Sequence, residues 1–152
     1  EYFTFLAREN PSINFVIRLP PNMADPGAEG INSKHRIRKF VNQSLITNLH
    51  VSDRTLEEDW ERGDVFISEY SLSVLDAIRR GKLGFFVNLT KRRSFVNDFI
   101  DLGFINVSTF EEMKEVLIRM CDPNSKLREQ LVKACLEYNR RLKSFLDDSS
   151  GE

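Results

Sequence analysis

The sequence predicts an α/β fold, a doubly wound parallel sheet with helices on both faces. Apolar β-branched and aromatic runs alternate along the chain with segments of helical periodicity, the pattern of repeated βαβ units. One of these units is complete within Gly63 to Leu89, which reads strand, tight turn, helix, glycine, strand. Short connections and right-handed crossovers then wind helices onto both faces. In such folds a ligand sits outside the carboxyl ends of the strands.

The elements follow in order. Tyr2, Phe3, Phe5 and Leu6 fit the last turns of an amphipathic helix, ended by Asn10 and Pro11. Ile13 to Leu19 is a buried strand by its β-branched content, and Pro20 and Pro21 stop it. Asn22 to Ser33, with Pro26, Gly27 and Gly30, is a long loop. Ser33 caps a helix from Lys34 that keeps Ile37, Phe40 and Val41 on one face. Ile46 to Val51 is a short strand, and Thr55 opens an acidic helix, Leu56 to Arg62.

Val65, Phe66 and Ile67 then form a strand apolar enough to be fully buried. Ser68 to Ser71 turn the chain. Val74, Leu75 and Ile78 follow at helical spacing, and Gly81 stops the helix. Leu83 to Leu89 is the next strand, and Thr90 to Ser94 a basic connection. Phe95 to Leu102 is a helix stopped by Gly103, and Phe104 to Val107 a strand. Ser108 or Thr109 caps a helix that sends Met113, Val116, Leu117 and Met120 to the core, and Asp122 and Pro123 break it. The last helix runs from about Asn124 to Phe145 with Leu127, Leu131, Ala134, Leu136 and Leu142, before a frayed tail from Asp147 to Glu152.

Composition narrows the function classes. The chain has 152 residues, 41% hydrophobic and 30% charged, with a net charge of −1. That balance is globular and gives no general reason to expect nucleic acid. No apolar run approaches the roughly 20 residues a bilayer span needs. Cys121 and Cys135 lie in helical patterns without metal spacing, as reduced thiols of a cytoplasmic protein do. His35 and His50 have no ligand cluster around them, and no P-loop or nucleophilic triad is present.

Four segments reach the ligand edge: Arg18 to Asn22, Ser52 to Arg54, Ser68 to Ser73, and Asn88 to Arg93. Ser71 and Ser73 place hydroxyls at the start of a helix, where free N–H groups and the helix dipole favour an anion. The plainer reading is an N-cap and a surface residue. Arg18 ends a strand and suits bidentate phosphate binding, or else points to solvent. Lys91, Arg92 and Arg93 follow the next strand and either meet the same anion or form a solvated face.

The segment DVFISEYSLSVLDAIRRGKLGFFVN resembles the donor-binding signature of GT-B glycosyltransferases. It looks closest to the CDP-glycerol glycerophosphotransferase and capsule-polysaccharide transferase group. That group has an aspartate-valine strand, a D-Y-S-S type turn, a helix with an acidic residue, then G-K and a buried strand. Here Glu69 stands in the place of the aspartate, and Leu72 separates Ser71 from Ser73. IRLPPN, Ile17 to Asn22, resembles the group's strand ending in K-x-H-P, with Pro20 in the histidine's place.

The resemblance implies a Rossmann-like domain spanning residues 1–152 that is the C-terminal half of a larger two-domain enzyme. The implied activity is transfer of a sugar or polyol phosphate from a nucleotide-diphosphate donor to a surface polysaccharide or glycan, with no cofactor and no metal. The implied donor-binding residues are Arg18, Glu69, Ser71, Ser73, Asp76 and Arg92, with Asp76 accepting bonds from ribose hydroxyls. Asp76 read without the resemblance is a solvated helix residue. The implied partners are the nucleotide sugar, an N-terminal domain outside this chain, and a membrane surface for the full-length protein. Two other classes stay open: a non-catalytic α/β interaction domain derived from a transferase, and a nucleotide-sugar epimerase of GT-B fold.

Overall fold

The computed structural model describes residues 2–19, 33–69, 71–89 and 105–149. The chain is mixed α/β with parallel strand pairing. It divides into two compact units, Glu1–Asp59 and Trp60–Glu152. The expected loop Asn22 to Ser33, the basic run with Arg92, and the expected helix Phe95 to Leu102 lie outside the described residues, except Ser33.

The first unit contains α1 (Tyr2–Glu9), β1 (Phe15–Ile17), α2 (Ser33–Gln43) and β2 (Leu49–Val51). β1 and β2 pair in parallel, with Phe15 opposite Leu49 and Ile17 opposite Val51. Leu6, Ala7, Phe15, Val41 and Leu49 are buried and form its core. Asn48 is buried among them, and its side-chain amide donates to the carbonyls of Ala7, Asn10 and Ile13 at 2.8–3.0 Å. One NH₂ has two hydrogens, so three acceptors require a shared bond.

Asn48 also helps explain why β1 starts at Phe15 rather than at Ile13. The Ile13 N–H bonds back to the Asn10 carbonyl, and the Ile13 carbonyl is taken by Asn48. The Ile13 N–H is thereby taken from any ladder, and its carbonyl is turned toward Asn48. β2 is shortened in the same way at its start. Leu45 has a φ of 55°, and the Ile46 N–H goes to Ser44 Oγ at 3.4 Å. The chain is still turning where the apolar pattern already reads as strand.

α3 (Leu56–Arg62) spans the boundary between the units. Thr55 and Glu58 bond reciprocally at its start, the arrangement of a capping box.

The second unit contains β3 (Val65–Ser68), α4 (Ser73–Arg79), β4 (Leu83–Val87), β5 (Asn106–Val107), α5 (Phe110–Cys121) and α6 (Lys126–Ser149). Its strands run parallel in the order β3-β4-β5. β4 holds the middle, and Gly84 to Val87 are buried. β3 flanks the described sheet, and all four of its residues are only half-buried, which corrects the expectation of a fully buried strand.

α4 lies directly on β4. A Cβ at Gly84 would stand 2.7 Å from Val74 Cγ1 and 3.2 Å from Ile78. Gly81 ends the helix at φ 78°, with its N–H bonded to Ile78 and that of Lys82 to Ala77. This is the glycine stop of a Schellman-type end. Thr109 caps α5 in a reciprocal box with Glu112.

α6 buries Leu131, Ala134 and Cys135, whereas Leu136 is 64% exposed. Leu136 follows Cys135 by one residue and so points about 100° away from the buried stripe. The helix also continues through Asp147 to Ser149, where a frayed tail was expected. No glycine or proline precedes Gly151 in this stretch, and each added residue extends the ladder by one bond. Burial pushes the Cys135 thiol up, with a backbone hydrogen bond to Gly84 opposing it.

Candidate anion site at the carboxyl end of β3

β3 ends at Ser68, and the chain enters α4 five residues later. The connection is built from hydroxyls. Ser68 Oγ accepts the Ser71 N–H at 2.8 Å. Ser71 Oγ accepts the Ser73 N–H at 3.2 Å and lies 2.8 Å from Ser73 Oγ. The residue preceding the first helical turn is Leu72, in helical backbone conformation and without a side-chain cap. Ser71 acts from one position earlier, so the plainer reading of the pair as an N-cap and a surface residue does not hold in that form. Inserting Leu72 between the serines displaces Leu72's own side chain outward, where it is 59% exposed.

The hydroxyl count limits what the turn can do. Each serine donates one hydrogen and accepts through two lone pairs. In the Ser71–Ser73 contact one hydroxyl donates to the other. One O–H of this pair therefore remains to be offered outward without breaking the turn, and Ser71 is exposed. An anion arriving here also meets the N-terminal end of α4, a helix of seven residues. Its dipole favours negative charge at that end.

Asp76 lies one turn into α4. Its carboxylate is 41% exposed and sits 3.6 Å from the Arg79 guanidinium. At that distance it is a loose pair, open to other donors. Arg80 is turned away from Asp76's carboxylate. Its guanidinium lies over the Trp60 ring at 3.9 Å and donates to the Asp76 carbonyl at 3.3 Å. Burial pushes the Tyr138 phenol up, with Arg79 opposing the shift and Asp76 adding to it. Glu69 is half-buried beside Ser68 in the turn.

Arg18 belongs to the first unit. Its Nη1 donates to the Arg54 carbonyl at 2.9 Å and to Asp59 Oδ2 at 2.8 Å. Asp59 Oδ1 in turn accepts from Ser52 Oγ at 2.8 Å. The Arg18 charge is thus met by Asp59, whose side chain is only 10% exposed. Sequence reasoning missed this brace because its ends are far apart in the chain and neither carries a local signal. Arg92 lies outside the described residues. Of the sequence candidates, Glu69, Ser71, Ser73 and Asp76 lie in one unit, with Ser68 beside them. The bracing role of Ser68 is visible in the sequence only as one more small polar residue.

Among the described residues no group of His, Cys, Asp and Glu is placed to hold a metal ion. None of their helices is long and apolar enough to cross a membrane. Compared with family models, curated proteins and solved structures, the chain matches none.

Proposed function

We propose that this chain is the donor-binding half of a glycosyltransferase, with a Rossmann-like, doubly wound fold of the GT-B kind. It takes a nucleotide-diphosphate sugar or polyol at the carboxyl end of β3 and serves transfer to a surface polysaccharide or glycan. The observation that carries the reading is the Ser68–Ser71–Ser73 hydroxyl chain between parallel β3 and α4. A spare hydroxyl and a helix N-terminus converge there, as an anion site requires. Asp76, open and one turn further on, is the acceptor for the ribose hydroxyls.

The chemistry asked of these residues is binding and charge stabilisation. The leaving diphosphate gains negative charge as the bond to the transferred group breaks. Fixed hydrogen-bond donors aimed at that charge lower the barrier more than they tighten the ground state. The acceptor and its general base belong, in this reading, to another domain.

The test is titration of UDP, CDP and GDP, followed by backbone amide shifts. Shifts centred on Ser68, Ser71, Ser73 and Asp76 are expected. Shifts confined to another face, or none at millimolar ligand, overturn the reading. One observation favours a second reading, a non-catalytic α/β interaction domain. The Ser71 and Ser73 hydroxyls already bond to each other, and a turn closed in this way holds its shape without a ligand.

A further inference from the structure

The first unit holds a groove that the donor site does not use. α1 and α2 both pack on β2, and Leu6 and Ala7 of α1 and Val41 of α2 are buried there. The two helices leave a gap over the sheet. Phe3 of α1, Ile17 of β1, Leu49 of β2, and Ile37 and Phe40 of α2 line an open groove of about 430 Å³. Sites for small organic ligands span about 300–1,000 Å³. Leu49 is buried, whereas Phe3 and Phe40 are 39% and 46% exposed. A ligand seated against those rings takes apolar surface out of water.

One charge interrupts the apolar lining. Among the described residues that line the groove, Arg36 is the charged one. It has no ion pair or hydrogen bond among the described residues. Arg38, two residues on and outside the lining, is instead paired with Asp53 at 2.5 Å. A guanidinium presents a planar fork of donors that matches a carboxylate or sulfonate. The lining therefore fits one anionic group and an apolar remainder. A polyanion would bring charges that the other walls leave unpaired, at a desolvation cost. A cation would meet Arg36 as a like charge. Two exposed Phe rings favour an aromatic remainder, which packs edge-to-face or offset against them.

We propose that this groove binds a small aromatic monoanion, an aryl carboxylate or sulfonate. The acid group lies on Arg36, and the aromatic body lies against Phe3, Ile37 and Phe40. The site is built within the first unit and does not rest on the donor-site reading.

The experiment is fluorescence titration with anilinonaphthalene sulfonate and with its uncharged counterpart, N-phenylnaphthylamine. Saturable one-to-one binding of the sulfonate is expected, weakening as salt is raised. Arg36→Gln lowers sulfonate affinity about fivefold, the effect of losing one partly exposed charge pair, and leaves the uncharged probe unaffected. Phe40→Ala lowers the affinity of both probes about tenfold. Lys39→Gln, on α2 but outside the lining, changes neither. Circular dichroism checks that the variants fold. The parent protein maps the site independently of any variant: on adding the sulfonate, amide shifts are expected at Thr4, Ile37 and Leu49. Shifts confined to the second unit, no saturable binding, or sulfonate affinity indifferent to Arg36→Gln overturns the proposal. So does an equal loss of both probes in Arg36→Gln. Self-association that Phe40→Ala abolishes, with no probe bound, gives the groove to a second copy and overturns it too.

Discussion

Asp76 and Ser71 stand a few residues apart, yet the proposed donor site assigns them to different parts of a nucleotide. The Asp76 carboxylate offers two acceptor oxygens to a ribose, and an amide offers one. Asp76→Asn is expected to weaken nucleotide-diphosphate binding by roughly ten- to hundredfold, the effect of losing a charged acceptor bond of about 1.5–3 kcal/mol. Its effect on a ribose-free diphosphate is expected to be small. Ser71→Ala removes the hydroxyl that both ligands share and also frees the Ser73 N–H. It is expected to weaken both ligands alike. Calorimetric titration of each variant with both ligands measures this, with thermal unfolding as the check on folding. An Asp76→Asn protein that is folded and binds normally makes Asp76 a solvated helix residue. That Ser71 and Ser73 stand at the start of a helix was legible in the sequence, but their bond to each other was not. The role of Leu72 was not, because its helical backbone is set by the bond from Leu75 to the Leu72 carbonyl rather than by a side-chain cap.

At the scale of elements, α4 and β4 meet through the absence of a side chain. Gly84 is a strand residue with ordinary backbone conformation, so alanine there would normally be favourable by reducing the freedom of the unfolded chain. Here the added methyl meets Val74 and Ile78. Gly84→Ala is expected to destabilise the protein by about 1–3 kcal/mol, the usual cost of overpacking. Urea unfolding reads it, and a variant as stable as the parent shows that α4 yields without cost. The βαβ unit containing this contact was legible because its signals are local: an apolar run, helical spacing, and Gly81 at the stop. The lengths of β1 and β2 were not. The start of β1 depends on Asn48 reaching three carbonyls from a distant part of the chain, and that of β2 on Leu45 at positive φ. The apolar stripe of α6 was legible at Leu131 and Ala134. Leu136 is apolar but off the stripe, and composition alone does not separate the two cases.

For the molecule as a whole, pH dependence follows from one exposed cluster on α6. Arg140 and Arg141 hydrogen-bond to Glu137 and hold its carboxyl at about 2, well below the ordinary 4.5. A depressed carboxyl contributes stability above its ordinary value and loses it as pH falls toward the folded value. Thermal unfolding at low salt is therefore expected to show a decline between about pH 4.5 and 2 that Glu137→Gln makes shallower. The effect is small because the group is exposed and solvent screens it. An identical profile for the variant removes Glu137 from the account. The parallel pairing of the strands was legible in their alternation with helices. The division into units at Asp59 and Trp60 was not, since it falls inside α3, where the periodicity is unbroken.

Strand pairing also sets an order of events in time. Val65 pairs with Leu83, whereas Phe15 pairs with Leu49. The second closure spans roughly twice as much chain and costs about 0.6 kcal/mol more in loop entropy. The first also encloses α4, which packs on β4 through Gly84 and so adds contacts as soon as the loop closes. Pairings between nearer residues form sooner when other things are equal. The amides of Phe85 to Val87 are therefore expected to gain protection before those of Phe15 to Ile17 when refolding is followed by pulsed hydrogen exchange. Simultaneous protection would mean that one nucleation event governs both pairings. With the expected order, the stretch that carries the serine turn acquires its native form before β1 and β2 pair.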